Sequence, residues 1–404
     1  MNVKHLSQIA LGFAIGQGAF FIAQSYIVYE NGLALVGQIG IGLGFLSLAQ
    51  WLSDCGGIFL IPKKLGTSDQ NKNLQAFFIA RFIVVLTLCF ILFASGITNS
   101  FTGIAKDIFS WYFAVSIIST FNITGYLDYT NNAKITGPTS GLCWLLPSLS
   151  IIFYKELGDD LGHSIGMLFT IGLLLSIIIQ FKESKITSDF KHSRIDIPEI
   201  KSNITDIIKY NCIFFTSQCY ARTIPLFISN FATISEAGIY IYAKNIANVI
   251  NQAISFSRRT EFSSLLRLPV TSVTPLILIK KQALSLAIGI VPFIISFFIL
   301  TLNKLIPLTS NKPLITIVCI LLFINIAWIV SSSFSQYLLA SSKTGTILAI
   351  QTFTILISLS TIFILQKHLG LTAVFIAELL MYSIQTAIYL YALKNLKASY
   401  QHDR

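Results

Sequence analysis

Three ionisable side chains stand inside long apolar runs: Arg222, Lys244 and Glu378. Arg222 lies in IIKYNCIFFTSQCYARTIPLFISNF and Lys244 in EAGIYIYAKNIANVINQAISFSRR, two stretches joined near Ser235. Each is long enough to cross a bilayer. A charge at membrane depth costs a few kcal/mol or more, so its default reading is functional, with a partner or a water-filled path beside it. If the first stretch runs outward and the second returns, Arg222 sits nine residues before Phe231 and Lys244 seven after Ala237. At about 1.5 Å per residue, both lie roughly 10–13 Å below the outer edge. Glu378, seven residues after Leu371, falls about 10 Å in, in the same layer. Glu378 is either the structural counter-ion of one cation, or an acid that tunes a hydrated cavity or carries a coupling ion. In both readings two cations face one acid, and the surplus positive charge calls for an anionic cargo.

Amides recur at helical spacing around these charges. Lys244, Asn248, Asn251 and Gln252 follow one helical face, as do Asn325, Ser332 and Gln336, and Glu378, Tyr382, Gln385 and Tyr389. Gln17 and Gln24 are two turns apart near the start of the chain. Against lipid these groups would be unsatisfied, so they face other helices or water. A single stripe reads most simply as interhelical hydrogen bonding. Four together, two of them charged, favour a wet central cavity. The candidate substrate-binding set is therefore Arg222, Lys244, Asn248, Gln252, Asn325, Gln336, Gln17 and Gln24, with Glu378 as coupling group or ion-pair partner. Pro225 frees a carbonyl beside Arg222, and Gly16-Gln17-Gly18 weakens the first apolar run. The glycine pairs Gly12/Gly16, Gly40/Gly44 and Gly162/Gly166 read as close helix packing. Asp54 and Asp128, at the ends of apolar runs, read as interfacial anchors.

The 404 residues are 54% hydrophobic and only 11% charged, with a mean hydropathy of +0.73. Soluble domains carry about 25% charged residues, so this composition defines a polytopic helical membrane protein. Weak period-2 alternation argues against an outer-membrane barrel. None of the six cysteines shows metal or disulfide spacing, and the five histidines fall outside the apolar runs or at their ends. No metal site and no histidine-based intramembrane chemistry is expected. A glycine-rich phosphate loop is also missing, so no nucleotide or other cofactor is called for. The chain is not read as an enzyme.

Twelve spans are expected at 6–28, 33–53, 77–98, 104–126, 138–157, 162–181, 207–231, 236–258, 282–302, 314–338, 344–365 and 371–393, each near the roughly 20 residues a bilayer requires. With both termini in the cytoplasm, twenty-one of the 28 cations fall on the inner side, Arg81 counted among them, and five on the outer. Arg222 and Lys244 are the remaining two. The positive-inside rule favours this orientation. A long polar segment of mixed charge, 182–206, divides a six-span bundle over 1–181 from a second six-span bundle with a short tail over 207–404. An even number of spans per half gives parallel repeats around a central cavity. The expected fold class is all-α, with twelve transmembrane helices in two six-helix bundles. Outer loops are too short to hold a folded domain.

Several motifs carry a family resemblance. VGQIGIGLGFLSLAQWLSDCGG, FNITGYLDYTNNAKITGP and EAGIYIYAKNIANVINQAISFSRRTEFSSLL resemble the second helix, the segment after the fourth helix, and the eighth helix with its following loop in the Wzx-type O-antigen flippases. These belong to the multidrug/oligosaccharidyl-lipid/polysaccharide (MOP) exporter superfamily. The resemblance implies a MATE-like pair of bundles that opens alternately to each side of the bacterial inner membrane. Its cargo would be an undecaprenyl-diphosphate-linked oligosaccharide moved from the cytoplasmic to the periplasmic leaflet. Membrane lipid and that lipid-linked glycan are the implied partners, the polymerase and chain-length regulator of the same pathway are candidate protein partners, and nucleic acid is not implied. The chemistry is consistent: a diphosphate needs cations, sugars need amides and aromatics, and a polyprenyl tail can stay in lipid. The alternative is a cation-coupled multidrug antiporter of the same superfamily, which would call for acids deep in the first six spans, where none is read. A membrane polymerase or acyltransferase is weaker still, since it would need a large outer loop or a buried histidine.

Overall fold

The computed structural model describes residues 3–30, 32–57, 60–61, 70–96, 99, 101–130, 132–184, 186, 197–266, 274–305, 312–341 and 343–402. Secondary structure among them is helical. Compactness divides the chain into two units, Met1–Arg222 and Thr223–Arg404.

The first unit opens with α1 (Val3–Tyr29) and α2 (Leu33–Asp54), followed by α3 (Gln70–Ala94). The fourth expected span is broken, into α4 (Gly103–Phe109) and α5 (Tyr112–Ser119), before the short α6 (Thr124–Tyr129). Next come α7 (Ala133–Ile152), the single turn α8 (Tyr154–Leu157) and α9 (Leu161–Glu183). α10 (Ile197–Phe231) is a single helix of 35 residues that continues through Pro225 and carries the division between the units. α1 likewise runs unbroken through Gly16-Gln17-Gly18.

Glycine sets the close contacts of this unit. A Cβ on Gly16 would lie 2.3 Å from the carbonyl oxygen of Gly141, and one on Gly12 would lie 2.2 Å from the carbonyl carbon of Gly137. α1 and α7 thus meet backbone to backbone, in the way small residues permit in membranes. Gly162 and Gly166 do the same for α9 against α4 and the Ser110-Trp111 break, where added methyls would meet Asp107 Cβ at 2.6 Å and Trp111 Cδ1 at 2.4 Å.

The second unit holds α11 (Ile234–Leu266), α12 (Pro275–Lys281), α13 (Ala283–Leu305), α14 (Lys312–Ala340), α15 (Thr344–Leu369) and α16 (Leu371–His402). α11 begins with a capping box. Thr233 Oγ1 accepts from the Glu236 amide at 3.1 Å, and Glu236 Oε2 accepts from the Thr233 amide at 3.0 Å. That reciprocal pair satisfies two amides that helix geometry otherwise strands. Thr274 caps α12 by accepting from the Ile277 amide, with Pro275 at the first helical position. α14 packs against α11, α13 and α16, and α15 against α16.

Among the described residues, eight helical segments are long and apolar enough to cross a membrane: 33–54, 74–94, 135–152, 154–183, 283–302, 314–339, 345–369 and 371–395. Four expected spans are outside that set. The 104–126 span is split by the break at Ser110-Trp111, and 6–28, 207–231 and 236–258 each include side chains outside the described residues. Large apolar side chains such as Phe90, Phe93, Phe297, Phe298, Phe363 and Ile364 point outward, as a lipid-facing surface requires.

Candidate functional site

In the second unit, Lys244 on α11 and Glu378 on α16 form an ion pair at 3.2 Å. Tyr240, one turn before Lys244, completes it: its hydroxyl donates to Glu378 Oε1 at 3.0 Å and accepts from Lys244 Nζ at 2.6 Å. The ammonium also lies 4.9 Å from the Tyr240 ring centroid. Two groups therefore converge on one carboxylate oxygen, and Glu378 is 4% exposed. The Lys244 side chain keeps 24% of its surface while its ammonium is held by Tyr240 and Glu378. Tyr240 is the residue the sequence reading missed. Its signal was present in the i, i+4 spacing to Lys244.

The amide stripes of this unit largely bond to one another. Asn251 Nδ2 donates to Asn325 Oδ1 at 3.4 Å and to Asn248 Oδ1 at 3.5 Å. Gln336 Oε1 accepts from the buried Gln282 at 3.1 Å. Gln385 accepts from Ser331 at 3.2 Å and donates to Thr354 at 2.8 Å, tying α14, α15 and α16 together. Asn325 Nδ2 and Asn251 Oδ1 remain buried without a partner. The side chain of Gln252 lies outside the described residues, as does that of Asp128.

Arg222 closes the first unit on α10. Its Nε is buried and makes no hydrogen bond, and no carboxylate pairs with it among the described residues. Across from it α2 presents Gly44, where an added methyl would lie 3.6 Å from Arg222 Cδ. The one deep acid of the sequence reading is engaged with Lys244, so Arg222 is left without a counter-ion among the described residues. Gln24 is wholly buried on α1 and Gln17 half-buried.

One buried ionic centre was misread. Arg81, counted with the inner-loop cations, is fully buried on α3, and Asp54 is no interfacial anchor. Arg81 donates to Asp54 Oδ1 at 2.9 Å, to the carbonyls of Ser53 at 3.2 Å and Ser119 at 3.0 Å, and to that of Asn122 at 2.8 Å. Asn122 Nδ2 also donates to Asp54 Oδ1, at 2.8 Å. The physical reason is that α2 and α5 both end here. Their terminal carbonyls carry partial negative charge, and a guanidinium reaching several of them at once leaves water no place. The signal was a cation and an acid near the facing ends of consecutive spans. This centre also qualifies the expectation that the first six spans hold no buried acid, although the acid is already paired.

Among the described residues no group of histidine, cysteine and acidic side chains is arranged to hold a metal. No family model and no curated protein matches the sequence. Solved structures do match in fold. "Lipid II flippase MurJ, inward closed conformation" aligns with a TM-score of 0.68 at 13% identity, over 96% of this chain and 87% of that one. An outward-facing multidrug resistance MATE family transporter of the MOP superfamily aligns at 0.60 and 14% identity, over 99% and 97%. A MOP superfamily transporter from Pyrococcus furiosus, described by a reversed polarity of its binding pocket, aligns at 0.58 and 12%, over 98% and 96%. The chain is a multi-pass membrane protein with the MATE-like, two-bundle, twelve-helix fold shared by these transporters and flippases.

Proposed function

We propose that this protein is a flippase that carries an undecaprenyl-diphosphate-linked oligosaccharide from the cytoplasmic to the periplasmic leaflet of a bacterial inner membrane. The observation that carries the reading is Arg222, a guanidinium with a buried, unpartnered Nε in a membrane helix. A fixed cation without a counter-ion is unfavourable in apolar surroundings unless the cargo supplies the charge. A diphosphate supplies it and matches the guanidinium fork. Lys244, partly exposed while held by Tyr240 and Glu378, is a second headgroup ligand. The amides Asn248, Gln252, Asn325, Gln336, Gln17 and Gln24 are the proposed sugar contacts. Both termini are placed in the cytoplasm.

The test is complementation. A strain deleted for this chain should lose long-chain surface polysaccharide and regain it when the gene is supplied. Normal polysaccharide in the deletion, together with lowered drug tolerance, would move the assignment to the cation-coupled antiporter. That second reading draws on the fold likeness to the multidrug transporter. Against it, the buried acids Asp54 and Glu378 are each paired to a cation.

A further inference from the structure

The first third of α10 lies on the first unit. Ile200, Ile204 and Tyr210 pack against an apolar cluster that includes Ile207 itself, Leu74 and Phe77 of α3, and Leu127 of α6. Residues 200, 203, 204 and 207 share one helical face, and the second of them is an asparagine. Asn203 is fully buried, yet neither its Nδ2 nor its Oδ1 has a hydrogen-bond partner. Buried amides are almost always satisfied, so an orphan in the middle of an apolar docking face weakens that docking.

Two further observations place the same weakness at the same contact. Asn211 Nδ2 donates to the Leu52 carbonyl at 3.0 Å and lies 3.7 Å from Cys55 Sγ, joining α10 to the end of α2. Cys55 itself holds φ at 51°, a left-handed conformation that a residue with a Cβ adopts at a cost. The docked arrangement thus combines an unsatisfied amide with a contact to a left-handed helix cap. The unsatisfied amide is relieved if the helix lifts and Asn203 meets water.

We propose that residues 200–211 of α10 form a releasable strap, docked on the first unit in this structure and undocked in another state of the working cycle. Asn203 sets the balance, and Asn211 with the Leu52–Cys55 turn is the catch. Arg222 follows Asn211 by eleven residues, three helical turns, on the same face of the same helix. Lifting the strap therefore turns or shifts Arg222 against α2. That last consequence rests on the reading of Arg222 as the anion-binding residue, but the strap itself does not.

The first experiment is independent of any cargo. Asn203→Cys is introduced with the exposed Cys212 replaced by serine, and intact protein in inside-out vesicles is treated with a membrane-impermeant maleimide. Transient release predicts modification about tenfold or more faster than that of the same background without the Asn203 change. Modification no faster than that background overturns the strap. Asn203→Leu should raise thermal stability and lower polysaccharide export, because the docked state is then over-stabilised. A fall in stability with export unchanged counts against the proposal. Finally, Asn211→Cys sits beside the native Cys55. Once its crosslink is verified on a gel, export should stop under oxidation and resume on reduction. Export that continues with the crosslink formed refutes it. If maleimide reaches Asn203→Cys while no polysaccharide phenotype exists in any variant, the strap stands and the flippase reading fails.

Discussion

Arg222 and Lys244 have the same formal charge in unlike surroundings. Lys244 is neutralised by Glu378 through a shared oxygen and a bridging tyrosine, whereas Arg222 pairs with no acid among the described residues. Arg222→Ala should therefore depress export far more than it depresses folding. A charge-assisted contact is worth about 1.5–3 kcal/mol, roughly a ten- to hundredfold change in affinity. Arg222→Lys should fall between, since it keeps the charge but loses the fork. Equal polysaccharide from Arg222→Ala and wild type, at matched expression, would exclude an anion-binding role. Lys244→Ala behaves differently, because it leaves Glu378 buried with Tyr240 alone. The expected loss is about 2–4 kcal/mol, lower than for a dry pair because Lys244 is partly exposed. Adding Glu378→Gln should restore most of it in thermal unfolding, and strictly additive losses would contradict the pairing. Charges in apolar runs were legible from residue type alone. Their pairing was not, because the choice between Arg222 and Lys244 depends on how α11 and α16 pack. Arg81 was misread for a related reason: four residues inside an expected span edge, a cation looks interfacial until the ends of α2 and α5 are seen to converge on it.

At the scale of elements, the Arg81 centre holds α2, α3 and the end of α5 through four donated hydrogen bonds. Arg81→Ala orphans Asp54 and several terminal carbonyls, and should lower stability by about 3–5 kcal/mol, read as lost folded yield in detergent. Arg81→Lys should recover little, since an ammonium cannot reach carbonyls on both sides. Gly16→Val tests the α1–α7 contact, where the added carbons meet backbone rather than a movable side chain. It should abolish folded protein at ordinary growth temperature, and wild-type yield would refute so close an approach. A third element-level contact titrates. Glu30, between α1 and α2, bonds Lys155 and Tyr154 beside the end of α7. The Lys155 ammonium, aided by the Tyr154 hydroxyl, holds its carboxyl below the usual range. The sign follows: this tie is fully present above the ordinary carboxylate pKa and is lost as pH falls through the lower folded value. Amide exchange across 28–34, corrected for intrinsic pH dependence, should quicken only below that window, and salt should weaken the effect at neutral pH. Helix existence was readable from apolar run length. The break at Ser110-Trp111 was not, since no proline marks it and the glycines that approach it, Gly162 and Gly166, lie on another helix.

For the whole molecule, the excess of cations on alternate loops fixes a prediction that the fold alone does not make. Reporter fusions at the chain ends and after 182–206 should all read as cytoplasmic, and an external reading at either terminus would invert the proposed direction of transport. The polar segment predicts a division at 182–206, whereas compactness divides the chain at Arg222/Thr223 inside α10. The reason is physical. The early turns of α10 bury Ile207 and Asn203 in the first unit, so the helix belongs to that unit up to Arg222. At 35 residues this helical rod is about 50 Å long, well beyond the roughly 30 Å of hydrocarbon it crosses. During synthesis, then, the first unit cannot finish when its sixth span leaves the ribosome. It must wait, with the cluster around Leu74, Phe77 and Leu127 incomplete, for the early turns of α10. Separately expressed fragments should therefore reassemble when the chain is cut within 187–196, and fail when it is cut at 222, where the same rod would be severed.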